Sequence, residues 1–109
     1  ATLLDVASQL LARVGLPRQV GQRALTDLTQ SVLRNIEEVG LPQALTGPIA
    51  RGDAMTVAAH LDAISRVSCQ VADVYRIIAE SSLDVAYRKG AADDSTLAAV
   101  GDVLQSRRV

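Results

Sequence analysis

Aromatic residues are almost missing from this chain. There is no Trp and no Phe, and Tyr75 and Tyr87 stand alone. A nucleic-acid stacking platform needs several aromatic faces, so that class of binder is excluded. No charge of one sign accumulates either. Eleven Lys and Arg oppose twelve Asp and Glu across 109 residues, for a formal net charge of −1. Phosphate backbones attract clustered surplus cations, and none is present, so no nucleic-acid partner is expected. Cysteine occurs once, at Cys69, which excludes an internal disulfide and a thiolate zinc site. Histidine also occurs once, at His60, so a multi-histidine metal centre is excluded and no metal is expected.

Long apolar runs are missing as well. A charge or an amide interrupts every stretch well short of the about 18 residues of a membrane span. The opening segment ATLLDVASQLLARVGL has no basic leader region. The expectation is a cytoplasmic chain with no membrane partner. Neither a G-x-G-x-x-G turn nor a G-K-S type phosphate loop occurs. No cofactor is therefore expected to bind this chain alone.

What is there is Leu, Val, Ile and Ala at helical spacing. Leu3, Leu4, Ala7, Leu10, Leu11 and Val14 recur every three or four residues, one face of an amphipathic helix. Gly15 ends it and Pro17 suits the first turn of the next. That second helix runs to about Val39 through Val20, Ala24, Leu25, Leu28, Val32 and Ile36. The phrase Val-Gly-Leu-Pro occurs at 14–17 and again at 39–42. The flanking sequences diverge, so it is a stop-and-restart device and not an internal repeat. Residues 41–52 read as a short helical turn followed by a loop. Asp53 is placed to cap a helix carrying Met55, Ala58, Leu61 and Ile64. A long helix from about Arg66 to Arg88 has a wide apolar face, with Cys69 read as a mid-helix buried thiol. After Gly90, Asp93, Asp94 and Ser95 offer a cap for a last helix bearing Leu97, Val100 and Leu104, within 91–109, and Ser106 to Val109 reads as a frayed tail. No strand alternation persists. The expected fold class is all-α, a bundle of about five helices in a single domain over 1–109.

One segment carries more than periodicity. Ala44-Leu45-Thr46-Gly47-Pro48-Ile49-Ala50-Arg51-Gly52-Asp53 combines a constrained Gly-Pro, a hydroxyl at Thr46 and a guanidinium just ahead of a helix. A guanidinium near free N–H groups suits a carboxylate or phosphate. A purely structural reading stands beside it: Asp53 caps the helix, and Arg51 pairs with Glu37, Glu38 or Asp53. His60 lies seven residues after Asp53, two turns along the same side. It reads either as a proton donor or substrate contact, or as a histidine bonded to backbone. Tyr75 and Tyr87, twelve residues apart, do not form one stripe and read as core or interface filler.

The stretch Leu45 to Leu61, LTGPIARGDAMTVAAHL, following a long helix that ends in Gly, resembles the C-terminal helical domain of a largely uncharacterised bacterial family. That family consists of two-domain, Rossmann-type NAD(P)-dependent proteins. It is related in architecture to 6-phosphogluconate dehydrogenase, ketopantoate reductase and pyrroline-5-carboxylate reductase. The resemblance covers about residues 1–90. It implies an oxidoreductase whose N-terminal Rossmann domain, absent from this chain, holds NAD or NADP. It implies a helical domain that supplies substrate-side residues and a homodimer contact. Thr46, Gly47, Pro48, Arg51, Gly52, Asp53 and His60 are the positions onto which substrate or domain-interface roles carry over. Helical phase from Leu3 onward, with only Thr2 ahead of it, fits a chain read as beginning inside a helix. The implied substrate is a small carboxylate-bearing keto or hydroxy acid or an imine. The alternative reading is an independent helical module that binds a protein partner through its wide apolar face.

Overall fold

The structure, a computed structural model, describes residues 1–107, and no strand occurs among them. The described residues fold into six helices: α1 (Thr2–Arg13), α2 (Arg18–Val39), α3 (Pro48–Arg51), α4 (Ala54–Val67), α5 (Cys69–Lys89) and α6 (Asp94–Ser106). The all-α class holds. The helix count rises above five because the 41–52 segment contains α3, a single turn that starts at Pro48 and is closed by Gly52 in the left-handed region. None of the described helices is long and apolar enough to cross a membrane.

The chain divides into two compact units, residues 1–40 and residues from 41 on. The first is a helical hairpin. Gly15, at φ 90°, turns the chain between α1 and α2. Leu16 N–H donates back to Leu11 O at 3.2 Å, closing the end of α1. Gly21 is the only buried residue of α2, and α1 has none. A Cβ at Gly21 would lie 3.5 Å from the Leu11 side chain, so the two helices approach closely there.

The second unit holds the core. Val57 and Leu61 of α4, Ala79 of α5, and Val100 and Leu104 of α6 are packed together, each at most 2% exposed. Small residues on α5 (Ala72, Ala79 and Ala86) let the neighbouring helices come close. Leu83, Val103, Ile49 and Tyr75 close the sides of this cluster.

One boundary differs from the sequence reading. Ser68, not Arg66, separates α4 from α5: it is extended, at φ −161°, and its hydroxyl accepts from Val71 N–H at 3.2 Å. Cys69 therefore opens α5 and is exposed, which corrects its reading as a buried thiol. At α6, Asp93 holds the N-cap position, but its side chain makes no capping bond. Of the tail read as frayed, Ser106 is the last residue of α6, while residues 108–109 lie outside the described residues.

Candidate functional site

The segment singled out in the sequence folds as two tight turns in succession. Gly47, at φ 94°, enters α3, and Pro48 takes the first helical position, where its missing N–H leaves nothing unpaired. Arg51 N–H donates to Gly47 O at 3.2 Å, and Asp53 N–H returns to Pro48 O at 2.8 Å. Gly52 is buried at φ 70°, and a Cβ there would run into the Thr96 side chain of α6. Only glycine satisfies both the left-handed backbone and this close approach. The turn is thus seated against α6, which fixes where Arg51 emerges.

Asp53 then caps α4. One carboxylate oxygen accepts from Thr56 N–H at 3.1 Å and the other from the Thr56 hydroxyl at 2.7 Å. These two bonds, hydroxyl first, hold the Asp53 carboxyl below its ordinary range, with Arg51 adding a smaller pull in the same direction. Arg51 Nη2 sits 3.7 Å from Asp53 Oδ2, too long for a hydrogen bond. Its guanidinium is 63% exposed, and its donors stay open to a ligand.

Thr46, Gly47 and Arg51 line a cavity of about 600 Å³ whose opposite wall comes from the end of α5 and the start of α6. That wall contributes Lys89, Asp93 and Thr96. Lys89, the chain's single lysine, donates from Nζ to Leu45 O and ties the Thr46 loop to the end of α5. The cavity thus carries two cations, one carboxylate and two hydroxyls. Its chemistry fits a small ligand with a carboxylate or similar anion, which a guanidinium and an ammonium can hold together.

The structure brings together only part of the sequence-predicted set. Thr46, Gly47 and Arg51 line the cavity, while Pro48 starts α3 and Asp53 caps α4 without lining it. His60 is not among the lining residues. It is exposed on α4, where Nδ1 lies 3.1 Å from the Tyr75 hydroxyl and the two rings meet edge to face. The partner is a side chain of α5, where the structural reading had placed backbone. Partial burial pushes the Tyr75 hydroxyl above its ordinary pKa. Tyr75 packs against the core and Tyr87 is exposed. Lys89, Asp93 and Thr96 were missed in the sequence. Nothing local indicates that Lys89 reaches Leu45, 44 positions away. No group of three or more potential metal ligands occurs among the described residues.

Residues 1–82 match the family described as a domain of unknown function, DUF2520, and the chain belongs to that family. Lys89, Asp93 and Thr96 come from beyond the matched region, so the cavity is completed by the last part of the chain. No curated protein matches the chain, and no solved structure does.

Proposed function

From membership of a family known only as a domain, we propose that this chain is the substrate-side and dimerisation part of a cytoplasmic NAD(P)-dependent oxidoreductase. In this reading a Rossmann-type first domain holds the cofactor, and the helical part resembles the C-terminal domain of 6-phosphogluconate dehydrogenase. The observation that carries the reading is the placing of Arg51 and Thr46 in one cavity with Lys89. The ligand is a small keto or hydroxy acid, or an imine, with a carboxylate. Two cations against one carboxylate leave a net charge of +1 around the cavity, which balances a single anionic group. Arg51 takes the carboxylate through its paired N–H donors, Lys89 keeps a donor free beyond its bond to Leu45, and Thr46 orients the neighbouring oxygen. The nicotinamide, when bound by the first domain, supplies or accepts the hydride.

The test uses the natural gene product read upstream of residue 1. A glycine-rich strand–helix turn is expected there, and NADPH oxidation with a panel of 2-keto acids and cyclic imines is expected to find a substrate. Arg51→Ala is then expected to raise KM by about tenfold or more through the lost charge-assisted bonds, with kcat changed less. An upstream sequence without such a turn, or an Arg51→Ala enzyme with unchanged KM, refutes the reading. A second reading, an interaction module without catalysis, is favoured by the exposed apolar residues of α2, which include Leu28 at 61% and Leu33 at 56%.

A further inference from the structure

One exposed flank of α2 carries a charge order that is complementary to its own reverse, while the exposed Arg18 and Glu37 fall outside that flank. Arg23, Asp27, Arg34 and Glu38 run plus, minus, plus, minus along the helix, all four exposed. With about 100° of rotation per residue they fall within an arc of about 60°, a single flank. Beside that flank run Val20, Ala24, Leu28, Val32 and Val39, spread over about 120°. Val20 is 51% exposed, Leu28 61%, Val32 45% and Val39 50%, so the hairpin leaves this stripe open to solvent. Between the charged row and the apolar row lies a shallow depression of about 430 Å³, lined only by α2 side chains: Gln19, Val20, Arg23, Ala24 and Asp27.

Positions 23 and 38 are equidistant from the midpoint between Gln30 and Ser31, and so are 27 and 34. In an antiparallel helix pair related by a two-fold axis, the same flank of each helix faces the other. Such an axis at that midpoint sets Arg23 against Glu38 and Asp27 against Arg34, twice over. A parallel copy in register sets every charge against its like. An unrelated partner gives no reason for the pattern to be complementary to itself. Arg23 and Asp27 already lie 3.5 Å apart within the helix, at 82% and 63% exposure, which leaves both accessible to a second copy.

We propose that α2 is a homodimer seam: two copies of this chain pair their α2 helices antiparallel about the Gln30–Ser31 midpoint. The apolar row supplies the affinity, because water leaves Val20, Leu28, Val32 and Val39 on both copies. The charges individually contribute little, and their work is to fix direction and register. The seam deepens the dimerisation part of the proposed function and rests on it, while the oxidoreductase part is not needed.

The experiment uses the full chain with Cys69→Ser as background, since Cys69 is exposed and would crosslink by itself. Light scattering first gives the oligomeric state. Single cysteines are then oxidised, with circular dichroism as the folding control. Ser31→Cys lies next to the axis and is expected to give a covalent dimer. Arg23→Cys is expected to give none, because antiparallel copies hold residue 23 about 22 Å from its mate, beyond disulfide reach. A doubly reversed chain, Arg23→Glu with Arg34→Glu, makes the flank wholly acidic, while Asp27→Arg with Glu38→Arg makes it wholly basic. Each is expected to self-associate at least about tenfold more weakly, and an equimolar mixture is expected to recover the dimer. A dimer that crosslinks at both 23 and 31 has parallel helices. A dimer that crosslinks at neither, or ignores the charge reversals, uses another surface. Either result overturns the seam and leaves dimerisation standing. A monomer overturns both.

Discussion

The two units of the chain solve the burial problem in opposite ways. From residue 41 on, α4, α5 and α6 enclose Val57, Leu61, Val100 and Leu104 almost completely, and the turn around Gly52 is locked against α6. In residues 1–40, two amphipathic helices meet at Gly21 and leave Leu28, Val32 and Leu33 in water. Both units are rich in the same residue types at the same spacing. The difference is geometric. Two helices can shield only one side of each other, whereas a third and fourth element closes the remaining sides. The hairpin therefore leaves an apolar face open, and the closed core holds the turn that carries Arg51 in place.

The largest test of this contrast compares leucines. Leu97→Ala removes a side chain that is 0% exposed and is expected to cost about 2–5 kcal/mol of stability in chemical denaturation. Leu28→Ala, at 61% exposure, is expected to change the stability of the isolated chain by only about 0.5 kcal/mol, while weakening self-association. Equal costs at the two positions would mean that the hairpin has a core of its own.

A smaller effect is expected at the turn that seats the site. Gly52→Ala must place a Cβ on Thr96 in a left-handed backbone, and is expected to cost about 1–3 kcal/mol. Gly15→Ala, also at positive φ but with open space around it, is expected to cost about 1 kcal/mol, the backbone part alone. If the two variants melt alike, the seating of the Arg51 turn on α6 contributes nothing.

The smallest effect is a pH dependence carried by two carboxyls of the second unit, Asp53 and Asp62. The Asp53 carboxyl lies below its ordinary value of 3.8 because it accepts two bonds from Thr56, and Asp62 is lowered by the guanidinium of Arg107, 2.9 Å away. A lowered carboxyl binds its proton more weakly in the folded state than in the unfolded one. The stabilisation is therefore complete above the ordinary carboxylate value and is lost as pH falls through and below it. The melting temperature is expected to fall below about pH 4, and Asp53→Ala is expected to flatten part of that fall. An unchanged acid limb in Asp53→Ala would leave Asp62 and other carboxylates as the source.

Much of this was legible in the residues. The periodicity of Leu3 to Val14 and of Val20 to Ile36 marks α1 and α2, and the Gly-Leu-Pro phrases mark their ends. The cap at Asp53 followed from its carboxylate preceding an apolar run, and its bonds to Thr56 are in place. The candidate site was legible only on one side. Thr46, Gly47 and Arg51 stood out as a turn with a guanidinium, but Lys89, Asp93 and Thr96 carry no local pattern that points across the fold. His60 was placed correctly on α4, yet its partner Tyr75 sits fifteen residues away on another helix. Cys69 was misplaced because Ser68 was not recognised as a cap, and shifting the helix start exposed the thiol.

The sequence by itself determined the helices, the glycine and proline punctuation, the absence of nucleotide and metal motifs, and the charge order along α2. Those depend on backbone propensity, hydrophobic period and residue order, which are local. Only the tertiary structure decided which apolar faces close into a core, that Lys89 reaches Leu45, and that Gly52 rests on Thr96. The last two join residues 44 positions apart, and the core joins three separate helices. Chain spacing carries no information about such contacts until packing brings the helices together.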